Sequence, residues 1–299
     1  MFKGSITALI TPFKNGEIDW PAFENLVEWQ IEQGTHGLVP CGTTGESPTL
    51  THDEHNAIVK RCVDVVKGRI PVIAGTGSNS TKEAVDMTVH ACEVGADAAL
   101  IVTPYYNKPS QDGMFDHFKT IHDAANLPII IYNIPGRSIV DMSVETMARL
   151  AALPHIVGVK DATGDLYRPT KTRNLIGSDF CQLSGNDETT CAFLAQGGVG
   201  CISVVSNVAP AQSAQLQEAW MSGDIATMEK LRDQLHLLAE NLFCESSPAP
   251  AKYAAQVLGI CTDEVRQPLL KASKAAREKV DAALDHAGLS AANAGKNAA

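Results

Sequence analysis

The chain has 299 residues, 44% hydrophobic and 19% charged, which suits a globular protein able to bury a core without disulfide or metal staples. A formal net charge of −10 argues against a nucleic-acid binder, which carries a basic patch or stripe. Aromatics make up only 5% while Gly numbers 23, so tight turns and close helix packing are favoured over a large aromatic core.

Short β-rich runs recur at nearly even spacing, over residues 5–9, 37–41, 71–74, 98–103, 128–132, 156–160, 180–183 and 201–205. Several are continuously apolar, such as the LPIII run at 127–131, as expected of parallel strands covered on both faces. Between the first two runs, residues 20–33 place Phe23, Leu26, Val27 and Ile31 at a helical period, with Asp19 as N-cap and Pro21 in the first turn. Residues 51–66 open with a capping box, Thr51 followed three places on by Glu54. Residues 80–94 repeat it with Ser80 and Glu83, and residues 143–150 with Ser143 and the weaker Thr146. After the eighth run the chain reads as helices over 209–221, 225–243, 248–258 and 263–287.

A short grammar repeats. Gly34, Gly95 and Gly197 each follow a helix and feed an apolar strand, a place where left-handed backbone is sterically cheap for glycine. Eight such units closing on themselves make a (β/α)8 TIM barrel of the α/β class, with an open doubly wound sheet as the rival. The barrel is expected over residues 1–223. A C-terminal helical extension over 224–299 belongs to the same structural unit, with a frayed tail from about residue 290. Eight cysteines without a C-x-x-C pair read as buried thiols of a reducing compartment. No signal peptide and no membrane span are expected, and the location reads as cytoplasmic.

A barrel of this kind builds its site at the C-terminal ends of its strands. Lys160 ends the sixth run and reads either as a nucleophilic amine or as a rim lysine in an ion pair. Tyr132 ends the fifth, as a proton shuttle or a satisfied core tyrosine. Arg137 follows a Pro-Gly turn, aimed at a carboxylate or solvated. Thr43 and Thr44, between Gly42 and Gly45, resemble a carboxylate nest more than a nucleotide loop. Tyr105 and Tyr106 end the fourth run as pocket wall or interface anchor. Together these residues share one address and form a minimal kit for enamine chemistry on a 2-oxo acid.

The motifs GTTGES at 42–47, VTPYYNKP at 102–109, YNIPGR at 132–137, VGVKDATGD at 157–165 and LSGND at 183–187 resemble the dihydrodipicolinate synthase family. That family belongs to the Schiff-base pyruvate aldolases that include N-acetylneuraminate lyase. The resemblance runs from Gly4 to about Leu289. It implies that Lys160 condenses with pyruvate, that Thr43 and Thr44 bind its carboxylate, and that Thr44 and Tyr132 relay protons. Tyr106 is implied to complete the relay across a subunit interface, Arg137 to bind L-aspartate 4-semialdehyde, and Gly185 and Ile202 to line the pyruvate site. It implies no cofactor and no metal, because the protonated imine is itself the electron sink. It also implies a homotetramer built as a dimer of dimers, and an L-lysine feedback site at Ser47, His52, His55, Asn79, Glu83 and Tyr105. Pro48 stands where lysine-sensitive members often have alanine. The rival readings are an aldolase of a sugar-derived 2-oxo acid and a catalytically silent barrel used for binding or regulation. Arg137 with the threonine pair favours the synthase.

Overall fold

The computed structural model describes residues 2–289; the expected frayed tail lies outside them. Eight parallel strands form the barrel: β1 (Gly4–Ala8), β2 (Gly37–Val39), β3 (Ile73–Gly75), β4 (Ala98–Val102), β5 (Ile129–Asn133), β6 (Ile156–Asp161), β7 (Cys181–Ser184) and β8 (Gly200–Ser203). Each lies within a residue or two of an apolar run in the sequence. The first strand pairs with the last, Gly4 against Gly200, so the sheet has no free edge there. Asn207 fastens this junction, accepting from the Ile10 N–H at 3.0 Å and donating to the Ala8 carbonyl at 2.8 Å. The turn of the sheet between β2 and β3 is held by a bridge between Leu38 and Val72.

Alternation along the strands builds two apolar cores. Ile6, Val39, Ile73, Leu100, Ile130, Leu183 and Ile202 fill the barrel interior, with Tyr132 at its top. The opposite faces, Leu38, Ala74, Ile101, Ile129, Ile131 and Val159, pack outward on the helices. These are α1 (Trp20–Glu32), α2 (His52–Val66), α3 (Thr81–Glu93), α4 (Gln111–Ala124), α5 (Val144–Ala151), α6 (Arg168–Ile176), α7 (Thr190–Ala195) and α8 (Pro210–Ser222). Double-sided burial is why the strands read as unbroken apolar runs rather than as alternating ones.

The local signals act as their chemistry requires. Asp19 caps α1, accepting from the Ala22 N–H. Thr51 and Glu54 close a full capping box on α2. At α3 only half forms: Ser80 accepts from the Glu83 N–H, but the Glu83 carboxylate takes the Ser78 hydroxyl instead. Gly34, Gly95 and Gly197 all have positive φ, as their places after helices demand.

Beyond Gly223 come α9 (Ile225–Asn241), α10 (Ala249–Val257) and α11 (Lys274–His286). Their Met228, Leu235, Leu238, Ala251, Val280 and Leu284 continue the outer core. A helix over 263–287 is not found: only Lys274–His286 is helical. The backbone N–H of Arg266 goes to the Glu46 carboxylate at 2.9 Å rather than to a helical carbonyl, and Pro268 has no N–H to give. Asp263 is drawn to Lys271 and Arg277, so tertiary bonds override the helical spacing. Among the described residues no helix is long and apolar enough to cross a membrane, and all eight cysteines are unpaired.

Candidate active site

The strand ends meet over a cleft of about 230 Å³ at the C-terminal mouth of the barrel. Its walls include Gly42, Thr43 and Ser47 from the turn after β2, Tyr105 from beyond β4, and Tyr132, Arg137 and Ser138 from β5 and its following turn. Register explains why Lys160 faces inward. Its Cα lies opposite Tyr132 on β5 and Leu183 on β7, both interior residues. Lys160 is 6% exposed, and its Nζ lies 4.2 Å from the centre of the Tyr132 ring. No carboxylate forms an ion pair with it among the described residues, so the rim ion-pair reading fails. An amine held against a phenol, out of water, can attack a carbonyl with a proton donor at hand, and it fastens no surface carboxylate.

Small residues leave room at the amine. A Cβ on Gly185 would sit 2.7 Å from Ala162 Cβ and 3.2 Å from Lys160 Cε, while its N–H donates to the Asp161 carbonyl at 2.6 Å. Ile202 is an interior residue of β8. Thr44 is buried and Thr43 half-buried. Strained backbone is concentrated at this mouth: Cys41, Glu46, Tyr106, Lys108 and Ile139 all have φ between 49 and 71°. Ile139, β-branched and at φ 69°, ends the one-turn helix Pro135–Ser138 that carries Arg137.

The two adjacent tyrosines part ways. Tyr105 lines the cleft, whereas Tyr106 is 88% exposed and contributes nothing to the cleft of its own chain. The two helix histidines differ as well. His52 is exposed, but His55 is buried and its Nε2 bonds the Gly75 carbonyl at 2.7 Å. Burial pushes the His55 pKa down, partly opposed by that bond. Glu83 is engaged with Ser78, and the Asn79 carbonyl accepts from the Asn107 side chain.

Sequence reasoning missed the polar layer behind the strand ends. Asn133 and Asp161, each one residue beyond Tyr132 and Lys160, are register partners facing outward. Asn133 donates to Asp141 at 2.7 Å and accepts from the Met142 N–H, while Arg168 pairs with Asp161 at 3.1 Å and with Asp141 at 3.2 Å. Burial raises the Asp161 pKa against the pull of Thr163 and Arg168. This network ties the turn bearing Arg137 to the strand bearing Lys160. Asp187 does the same for β8, accepting from Ser203 Oγ and from the Val204 and Val205 N–H groups. The available signal was a polar residue directly after each inward strand-end side chain, Asn133 after Tyr132 and Asp161 after Lys160.

A closed (β/α)8 barrel with a desolvated lysine against a tyrosine at its strand ends defines a Schiff-base aldolase. The chain belongs to the dihydrodipicolinate synthetase family, whose description matches residues 1–287. It is 64% identical to the 4-hydroxy-tetrahydrodipicolinate synthase of Rhodospirillum centenum over 97% of this chain and 99% of that one. The crystal structure of dihydrodipicolinate synthase from Aquifex aeolicus superposes with a TM-score of 0.95 at 46% identity, covering 97% and 99% of the two chains. That of the chloride-inhibited Acinetobacter baumannii enzyme complexed with pyruvate gives 0.94 at 44%, covering 97% and 100%.

Proposed function

We propose that this cleft condenses pyruvate with L-aspartate 4-semialdehyde through a Schiff base on Lys160. The product is 4-hydroxy-tetrahydrodipicolinate, on the route to diaminopimelate and L-lysine. The observation that carries the reading is the desolvated Lys160 amine facing Tyr132, in a chain so close to enzymes of that name.

The steps follow from the residues. The Lys160 amine attacks pyruvate C2, and the carbinolamine loses water as a proton is delivered through Tyr132 and Thr44, leaving a protonated imine. Loss of a methyl proton gives the enamine, the imine nitrogen taking up the electron pair. The enamine carbon attacks the aldehyde of the semialdehyde, whose oxygen takes a proton and becomes the 4-hydroxyl. The substrate's amino group then adds to the regenerated imine and expels Lys160, closing the ring. Thr43 and Thr44 hold the pyruvate carboxylate, Gly185 and Ile202 shape its pocket, and Arg137 receives the semialdehyde carboxylate at the outer wall. Arg137 with the threonine pair favours the synthase over the sugar-acid rival, and a silent barrel would have no use for Lys160 or Tyr132.

Tyr106 completes the relay in the cleft of a neighbouring subunit. Its 88% exposure supports that role; the tetramer of two such dimers rests on the family resemblance. L-Lysine binds beside the cleft at Ser47, His52, His55, Asn79, Glu83 and Tyr105. His55 bonds the Gly75 carbonyl through Nε2 and has its Nδ1 without a partner, while His52 is exposed.

The test is to mix the protein with pyruvate, reduce with borohydride, and map the adduct by mass spectrometry. A reduced pyruvyl group on Lys160 is expected, and an unmodified Lys160 would sink the reading. Turnover of aspartate semialdehyde against a panel of sugar-derived aldehydes then identifies the second substrate.

A further inference from the structure

The turn that carries Thr43 and Thr44 is anchored from the far end of the chain. Glu46 lies two residues beyond Thr44 with left-handed backbone, φ 58°, and its N–H donates to the Thr43 carbonyl at 3.1 Å. Its carboxylate is fully buried. One oxygen accepts from Lys252 Nζ at 2.6 Å and the other from the Arg266 backbone N–H at 2.9 Å. Lys252 sits on α10 with its side chain also fully buried, and its ammonium lies 4.1 Å from the Phe13 ring centre. The Arg266 guanidinium lies 4.4 Å from the same ring and grips Glu54, at the start of α2, with both terminal nitrogens. Burial pushes the Lys252 pKa down against the pull of Glu46. A buried charge pair of this kind is weak as a source of stability, because desolvation offsets much of the attraction. Its value lies in direction: both carboxylate oxygens are fixed by donors, one on α10 and one on the segment between α10 and α11.

We propose that Glu46, held by Lys252 and Arg266, is a positioning residue that sets the Thr43–Thr44 turn to receive the substrate carboxylate, so that the C-terminal extension governs pyruvate affinity. This rests on the assignment of Lys160 and the threonines above. The Thr11 hydroxyl, donating to the Gly45 carbonyl at 2.7 Å, holds the same turn from the barrel side. Without the Glu46 anchor, the left-handed backbone at 46 has no side-chain restraint, and the threonines lose their fixed orientation.

Two variants test it. Glu46→Asp keeps the charge but shortens the reach by one methylene. The pair E46M/K252M replaces both charges with apolar side chains of similar size, which preserves packing while removing both halves of the anchor. Each is assayed for the pyruvate KM and for borohydride trapping of Lys160 with acetone, a ketone that has no carboxylate. A rise of tenfold or more in the pyruvate KM is expected in both, with acetone trapping slowed by a clearly smaller factor, because acetone loses only the Thr44 proton relay and no carboxylate contact. A merely structural role predicts otherwise: the folded double variant would bind pyruvate as the wild type does, and that result overturns the proposal. Failure of both variants to yield folded protein overturns it too, since the anchor would then serve the fold and not the substrate. If the wild-type protein traps neither ketone at Lys160, the underlying assignment fails, and the two failures are thereby told apart.

Discussion

Gly185→Ala perturbs the amine without touching its chemistry. The backbone at 185 is not left-handed, so alanine is conformationally allowed and the effect is purely steric. The new methyl would lie 2.7 Å from Ala162 Cβ, 3.1 Å from the Asp161 carbonyl oxygen and 3.2 Å from Lys160 Cε. Ordinary carbon contacts begin near 3.5 Å, so something must yield by about half an ångström or more. The backbone of 185 cannot retreat easily, because its N–H is bonded to Asp161 at 2.6 Å. The far end of the lysine side chain is the movable partner. Overpacking of this size costs about 1–3 kcal/mol in stability. A reacting atom displaced by about 1 Å loses roughly a hundredfold in rate. The expected result is a ten- to hundredfold fall in the rate of borohydride-trapped pyruvate adduct, equivalent to about 1.4–2.7 kcal/mol, with a lowered Tm. A variant with wild-type trapping rate and unchanged Tm would refute the idea that this glycine makes room for the imine.

Arg137→Ala should leave the pyruvate adduct on Lys160 intact and abolish turnover with aspartate semialdehyde; equal loss of both in trapping and coupled assays would contradict its role. Tyr132→Phe should slow imine formation by about a hundredfold or more with little change in stability, read by stopped-flow trapping against a melting curve. His117 is 5% exposed, bonded through Nδ1 to the Thr81 hydroxyl, and held by burial at a pKa of about 4. It stays neutral in the fold but takes up a proton near pH 6.5 when unfolded. Its contribution is therefore complete above pH 6.5 and is lost as the pH falls toward 4, a difference of about 3 kcal/mol. Urea unfolding at pH 7 and pH 4.5 should show a shallower pH dependence in His117→Gln than in the wild type, with the remaining slope due in part to His55.

Strands were legible because both of their faces are buried, so Ile129, Ile130 and Ile131 follow one another and cannot be mistaken for a solvated ribbon. Lys160 was legible because it ends such a run. Tyr105 and Tyr106 were not separable in sequence: one side chain lines the cleft and its neighbour leaves it, a matter of the positive φ at 106. Lys252 was hidden for another reason. It stands alone among Ala251, Tyr253 and Ala254, and its partner Glu46 is 206 residues away. Pairings at that separation leave no periodic trace. The stretch from 263 to 273 misled because local spacing suggests a helix, while Glu46, Lys271 and Arg277 each claim one of its groups.

The pairing of Gly4 with Gly200 has a bearing on how the molecule is made. A chain emerging from the ribosome cannot seal its cylinder until the eighth strand has cleared the exit tunnel, and the Glu46 carboxylate stays without both of its donors until Arg266 has followed. Early strands must wait with open edges, which is when such intermediates are most prone to aggregate. A chain that stops before that arginine lacks one of the two donors to Glu46, so the fastening of the turn beneath Thr43 and Thr44 is completed only near the end of synthesis.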